Sequence, residues 1–141
     1  MTIFDSGAEG GTAFLVMELL PGPNMEAYVA ERGPLHEQDV ITLTKGVAAG
    51  LAAAHAAGVV HRDIKPANLM FDARGTLKIV DFGIAHLADT AATRLTATNT
   101  VIGSASYLSP EQVQGRRADE RSDLYALGCV MTTMLTGRPP F

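Results

Sequence analysis

The residues richest in chemistry lie in the run His61-Arg62-Asp63-Ile64-Lys65-Pro66-Ala67-Asn68 and, shortly after it, in Asp81-Phe82-Gly83. A carboxylate at Asp63 can accept or orient the proton of an incoming hydroxyl, and positioned acid–base groups of this kind contribute roughly 10²–10⁴-fold. Two residues further along an extended loop, Lys65 points the same way and offers a fixed cation where negative charge builds up. Asn68 and Asp81 supply one neutral and one anionic oxygen, the hard ligands that suit Mg²⁺, which in turn bridges phosphate oxygens. Pro66 stiffens the loop between these groups. Gly83 lets the backbone bend directly after Asp81. As a set they suit the passage of a phosphoryl group from a nucleotide to a hydroxyl. Any one of them alone reads as a solvated charge or a turn residue. The full set, in order and at this spacing, makes that reading improbable.

Such groups need a frame. Leu69-Met70-Phe71 and Leu77-Lys78-Ile79-Val80 read as short strands around Asp72-Ala73-Arg74-Gly75, which has turn composition, so a β-hairpin is expected. In an antiparallel hairpin the start of one strand lies beside the end of the other. Asn68 and Asp81 should therefore meet at one end of the ribbon. Upstream, Ile3-Phe4 and Thr12 to Met17 read as strands, with Gly7 to Gly11 as the turn between them. Leu20-Pro21-Gly22-Pro23 then breaks the strand. A short helix is expected from Asn24, its N-cap, to about Arg32. A longer one should run from about His36 to Ala57, because Val40, Leu43, Val47, Leu51 and Ala54 recur at steps of three and four. Gly58 ends it. Residues 84 to 108 hold Thr90, Thr93, Thr96, Thr98 and Thr100 with little apolar periodicity, and read as a loop. Ser122 to Leu135 is apolar on nearly every side, which predicts a central buried helix.

A chain of 141 residues with 47% apolar residues is long enough for one domain with a core, and carries no low-complexity run. Its net charge of −4 gives no electrostatic reason to expect nucleic acid or an anionic membrane as partner. Cys129, the single cysteine, lies in an apolar run and reads as core packing. No secretory leader or long apolar stretch is visible, so the expected location is the cytoplasm, with a membrane anchor left open outside this span. Both ends are expected to be cut from something larger, since strands open the chain and a helix stop closes it.

Beyond the loop residues, the chain carries Gly103-Ser104-Ala105-Ser106-Tyr107-Leu108-Ser109-Pro110-Glu111-Gln112 and Arg121-Ser122-Asp123-Leu124-Tyr125-Ala126-Leu127-Gly128. With these four motifs in order, residues 14 to 141 resemble the middle of a Hanks-type protein kinase domain, most closely the bacterial serine/threonine kinases. The resemblance implies an α+β fold: residues 1 to 20 as the end of the small lobe and the hinge, and 21 to 141 as the helical large lobe through its central helix. It implies ATP and Mg²⁺ as cofactors, protein substrates bearing Ser or Thr, and a kinase homodimer as a candidate assembly.

Carried over residue by residue, Asp63, Lys65 and Asn68 take the catalytic places and Asn68 and Asp81 the metal places. Met17 resembles the gatekeeper, with the backbones of Glu18 and Leu20 meeting adenine and Met70 beneath its ring. His61 and Phe82 resemble members of a stacked structural spine, and His36, His55 and His86 are assigned no role. Lys65, with Ser104 where Thr is usual, points to serine/threonine rather than tyrosine substrates. Asp123 resembles a helix residue that holds the catalytic-loop backbone, and equally reads as an acidic residue favoured by the helix dipole. Glu111 normally pairs with an arginine that these residues do not include. Arg62 resembles the arginine that pairs with a phosphorylated loop residue, for which Thr96 and Thr98 are the candidates and Thr100 a weaker one.

The family's glycine-rich loop and strand lysine are not among these residues, so the span by itself is expected to be nearly inactive. The competing readings are a non-catalytic kinase fragment acting as a scaffold and, less favoured, a small-molecule phosphotransferase. The latter generally lacks Asp-Phe-Gly together with the Ser-Pro-Glu segment.

Overall fold

The computed structural model describes residues 1–82 and 105–141. β1 (Ile3–Glu9) and β2 (Thr12–Met17) pair antiparallel, with Gly7 opposite Phe14 and Glu9 opposite Thr12. The turn is shorter than expected, because Gly7, Ala8 and Glu9 belong to β1. Only Gly10 and Gly11 turn the chain, both at positive φ (56° and 83°), as a two-residue hairpin loop requires. Gly7 is constrained differently: the Phe14 ring lies across it, and a Cβ there would sit 2.5 Å from a ring carbon.

The Leu20-to-Pro23 break does more than end a strand. Gly22 N–H donates to Phe71 O (3.1 Å) and Phe71 N–H donates to Pro23 O (3.1 Å). The segment therefore runs against β3 (Leu69–Phe71), which pairs antiparallel with β4 (Leu77–Ile79) in the register Leu69 to Ile79 and Phe71 to Leu77. At the far end of that hairpin, Asp72 Oδ1 accepts from the backbone N–H groups of Arg74 (2.9 Å) and Thr76 (2.8 Å). These bonds hold the Asp72 carboxyl below its ordinary pKa, the Thr76 bond first, with smaller help from Arg74 N–H and the Lys78 charge.

α1 (Met25–Arg32) starts at Asn24, whose side chain accepts from Ala27 N–H, and stops at Gly33. α2 (Glu37–Ala56) starts at His36, whose Nδ1 accepts from Gln38 N–H (3.3 Å). That gives His36 a capping part it was not assigned. Gly58, at positive φ, lets Val59 N–H return to Ala54 O, which closes the helix. α3 (Pro110–Val113) and α4 (Glu120–Thr136) complete the fold.

The core lies where the α2 stripe, the β3–β4 hairpin and α4 meet. Leu51, Ile64, Leu69, Val130 and Met134 are all but inaccessible to solvent. Each such burial stabilises by about 1.5–3 kcal/mol. α4 departs from the expectation of all-round burial. Val130 and Met134 are enclosed, whereas Leu124 (54% exposed), Gly128 and Leu135 form a stripe that no described residue covers. Cys129 packs inside, and burial pushes its thiol pKa up.

Candidate active site

The catalytic loop leaves α2 and is built around His61, which is fully buried. His61 Nδ1 takes the Asp63 N–H (3.3 Å), so the ring proton sits on Nε2, which donates to Val80 O (2.9 Å). One imidazole thus ties the loop to the end of β4. Its ring meets that of Phe82 at 4.9 Å between centroids, tilted by 59° rather than stacked face to face, so the two expected spine residues are in contact.

The next residue, Arg62, is held from two directions. Its N–H donates to Asp123 Oδ1 (2.7 Å) on α4, and its carbonyl accepts from Gln112 Nε2 (2.8 Å) on α3. Its φ is +70°, a left-handed conformation that costs a non-glycine residue about 1–3 kcal/mol unless its surroundings enforce it. The two flanking hydrogen bonds are that enforcement. Arg62 Nε is buried with no hydrogen-bond partner among the described residues. Asp123 also accepts from His61 N–H at Oδ2 (2.9 Å). Of its two readings, the one in which it holds the loop backbone is what the geometry supports.

Asp63 stands clear of the core, with its side chain 45% exposed. Its Oδ2 receives Lys65 Nζ (2.8 Å) and Asn68 Nδ2 (3.0 Å), and Asn68 Nδ2 also donates to the Asp63 carbonyl (2.8 Å). Both Nδ2 protons of Asn68 are therefore turned to Asp63, which leaves its carbonyl oxygen as the atom that could face a cation. On Asp63, Oδ1 is the oxygen that no described residue occupies. Pro66 opens a single 3₁₀ turn, Pro66–Asn68, that delivers Asn68 to the start of β3.

The hairpin does bring Asn68 and the approach to Asp81 together: Val80 N–H donates to Asn68 O (3.0 Å). Asp81 follows at φ +58°, exposed, with its backbone turned out of the strand. Among the described residues no three His, Cys, Asp or Glu side chains gather into a metal-binding group. Asn68 and Asp81 would thus leave most of a cation's shell to water and phosphate oxygens. That is how Mg²⁺ is ordinarily held, so the residues present fit it.

At the hinge side, Glu18 N–H is taken by Thr2 O (2.9 Å), Leu20 is buried, and Met17 is partly exposed rather than enclosed in a strand core. Met70 is half-buried and bridges to Asn24. Gly83, His86, Thr96, Thr98, Thr100 and Ser104 lie outside the described residues.

Three contacts at the loop go beyond what the sequence led us to expect. His55, at the last turn of α2, brings Nε2 to 2.8 Å from Asp123 Oδ2 although it was assigned no role. Gln112 reaches Arg62 while its Oε1 accepts from both Ser109 N–H and Ser109 Oγ (3.0 Å each). The Ser-x-x-Gln spacing of a capping box was the clue to the second half of that pattern only. Glu111 is not left unpaired: it accepts from Ser122 Oγ, which joins α3 to the first turn of α4 and lowers the Glu111 pKa. Nearby, Tyr107 OH meets Thr133 Oγ1 (3.1 Å), and burial raises the phenol's pKa.

With this geometry in hand, comparison with known proteins is direct. The protein kinase domain family matches residues 1–141, the whole chain. The chain belongs to that family. It is similar to the serine/threonine-protein kinase PknL of Mycobacterium tuberculosis, 43% identical over 141 residues, all of this chain and 35% of that protein. It is equally similar to the serine/threonine-protein kinase PrkC of Bacillus subtilis, again 43% over all of this chain and 22% of that protein. A probable serine/threonine-protein kinase PknB of Corynebacterium glutamicum matches at 43% over 145 residues. The chain thus spans between about a fifth and a third of the curated relatives it matches.

Proposed function

We propose that this chain carries the phosphoryl-transfer centre of a serine/threonine protein kinase. The observation that carries the reading is the Asp63–Lys65–Asn68 cluster at the open end of a hairpin whose other strand leads to Asp81. Asp63 Oδ1 is the oxygen to receive the proton of a serine or threonine hydroxyl, because Oδ2 is already occupied by two donors. Lys65, an ammonium with three N–H groups, can hold Asp63 and meet a phosphoryl oxygen at once. Asn68, through its carbonyl oxygen, and Asp81 would hold Mg²⁺, which when bound offsets the charge of the phosphates. Because Glu18 N–H is spent on Thr2, its carbonyl is the group left for an adenine amino proton, with Leu20 N–H beside it and Met17 and Met70 lining the ring.

In this reading residues 1–20 act as the end of the small lobe and the hinge, and 21–141 as the large lobe. The left-handed Arg62 beside Asp63 suits an arginine that answers to phosphate on Thr96 or Thr98. Ser104 would contact the substrate side of Asp63 and Lys65. The protein substrates, the cytoplasmic location and a homodimer belong to the same proposal. Among the described residues no helix is long and apolar enough to cross a membrane.

The test is single-turnover transfer of labelled γ-phosphate from ATP, with serine/threonine peptides, tyrosine peptides and an aminoglycoside as competing acceptors. Slow transfer to serine or threonine is expected. It should require Mg²⁺ and fall by about 10²-fold or more in Asp63→Asn. Preferential transfer to tyrosine or to the aminoglycoside overturns the reading. Absence of nucleotide binding, with and without Mg²⁺, favours the scaffold.

A further inference from the structure

One cavity plays no part in the chemistry described above. It opens between Glu18–Leu19 and the far end of the β3–β4 hairpin, holds about 340 Å³, and is lined by Glu18, Leu19, Asp72, Ala73, Arg74 and Lys78. That volume is at the small end of the range for ligand sites. Two carboxylates and two cations line it, but they are not equally open to a ligand. Asp72 Oδ1 is spent on the N–H groups of Arg74 and Thr76, and the Asp72 side chain is only 14% exposed. Glu18 Oε2 accepts from Thr2 N–H (3.1 Å). The cations are less engaged. Lys78 Nζ stands 3.7 Å from Asp72 Oδ2, beyond the roughly 2.7–2.9 Å of a direct charge-assisted bond. The Arg74 side chain is exposed on the turn and makes no hydrogen bond among the described residues. At the rim, Leu19 is 87% exposed, and its backbone makes no hydrogen bond among the described residues. Such a rim offers an apolar contact, with an N–H and a C=O for an extended chain.

We propose that this cavity is a docking site for an acidic, leucine-bearing segment of a protein substrate. Arg74 and Lys78 take its carboxylates, and Leu19 meets its apolar side chain. The planar fork of Arg74 matches a carboxylate with two parallel N–H groups. The hairpin keeps this site apart from the phosphoryl-transfer centre, because Asp72 and Asn68 flank the three residues of β3, a span of roughly 10 Å. A chain docked here can therefore present a serine or threonine to Asp63 without crowding it. That the docked partner is a substrate rests on the kinase reading, whereas docking itself does not.

The probe is a short peptide with two glutamates beside a leucine, compared with the same peptide carrying lysines in place of the glutamates. Binding is followed without ATP, by amide chemical shifts of the isotope-labelled chain. Shifts should move at Leu19, Ala73, Arg74 and Lys78 and stay fixed at Asp63 and Asn68. Affinity should fall about fivefold in Arg74→Ser, the scale of one exposed ion pair, and should also fall as salt is raised. An unchanged thermal midpoint shows that this exposed substitution leaves the fold intact. Joined to a serine acceptor by a flexible linker, the acidic segment should lower KM about tenfold at unchanged kcat, and Arg74→Ser should cancel that gain.

Tighter binding of the lysine peptide overturns the proposal, since the carboxylates would then be the readers. So does absence of binding, equal affinity in Arg74→Ser, or shifts centred on Asp63 and Asn68. If the unmodified protein transfers no phosphate, the kinase reading fails, and the shift comparison still decides whether the cavity docks an acidic peptide.

Discussion

At the scale of single residues, the proposed function divides labour between the two oxygens of one carboxylate. Asp63 Oδ2 is held by Lys65 and Asn68, which in the proposed reading leaves Oδ1 for an incoming hydroxyl. The same logic separates the two ends of the β3–β4 hairpin. At one end stands Asp81, exposed and in a left-handed conformation, to which the proposed reading gives a cation. In that reading Asp81→Asn removes the single anionic ligand of the pair. Titration calorimetry should then show nucleotide affinity that no longer rises when Mg²⁺ is added. At the other end, Asp72 spends its charge on the turn. Its folded pKa lies below the ordinary 3.8, so its contribution to stability is fully present above about that pH and drains away as pH falls through the folded value. Asp72→Asn keeps an acceptor for the turn but removes the titration. Acid unfolding followed by circular dichroism should lose part of its slope below pH 3.8 in that variant.

At the scale of elements, short segments are placed by close backbone approach rather than by propensity. Gly22 is the clearest case: a Cβ there would lie 2.6 Å from Phe71 O and 2.7 Å from Phe71 Cβ. The segment that breaks after β2 can run along β3 only because that atom is missing. Gly22→Ala should destabilise by about 1–3 kcal/mol in urea unfolding and weaken the two bonds to Phe71. An unchanged midpoint would mean that the segment is not seated as described. The loop between α2 and β3 follows the same rule at longer range. His61 joins it to β4, Asp123 to α4 and Gln112 to α3, so three elements fix the one left-handed residue before Asp63.

At the scale of the molecule, one end is well enclosed and the other is not. The core of α2, α4 and the β3–β4 hairpin is close-packed, whereas Phe4, Phe14, Val16 and Met17 of the β1–β2 hairpin are exposed, Phe4 at 67%. Phe14 and Val16, two residues apart, share a face of that ribbon. Exposed apolar surface of this kind drives association in water. The 141-residue chain should therefore self-associate in sedimentation at micromolar concentrations, and Phe14→Lys with Val16→Thr should shift it toward monomer. A monomer in both forms would show that the ribbon covers itself in solution.

The elements and the catalytic string were legible in the sequence because they are written locally. A turn needs its glycines, a helix its stripe and its caps, and Asn68 meets the end of β4 as soon as the hairpin closes. The partners of the loop were a different matter. Asp123 stands 62 residues from His61 and His55 stands 68 from Asp123, and no periodicity links such positions. Judged by their neighbours in the chain, Asp123 reads as a helix-dipole residue and His55 as idle, and only the family resemblance offered Asp123 as the holder of the loop. Only packing α2 against α4 brought an imidazole, a buried carboxylate and two amides to one point, where the cost of leaving that carboxylate unpartnered makes the choice.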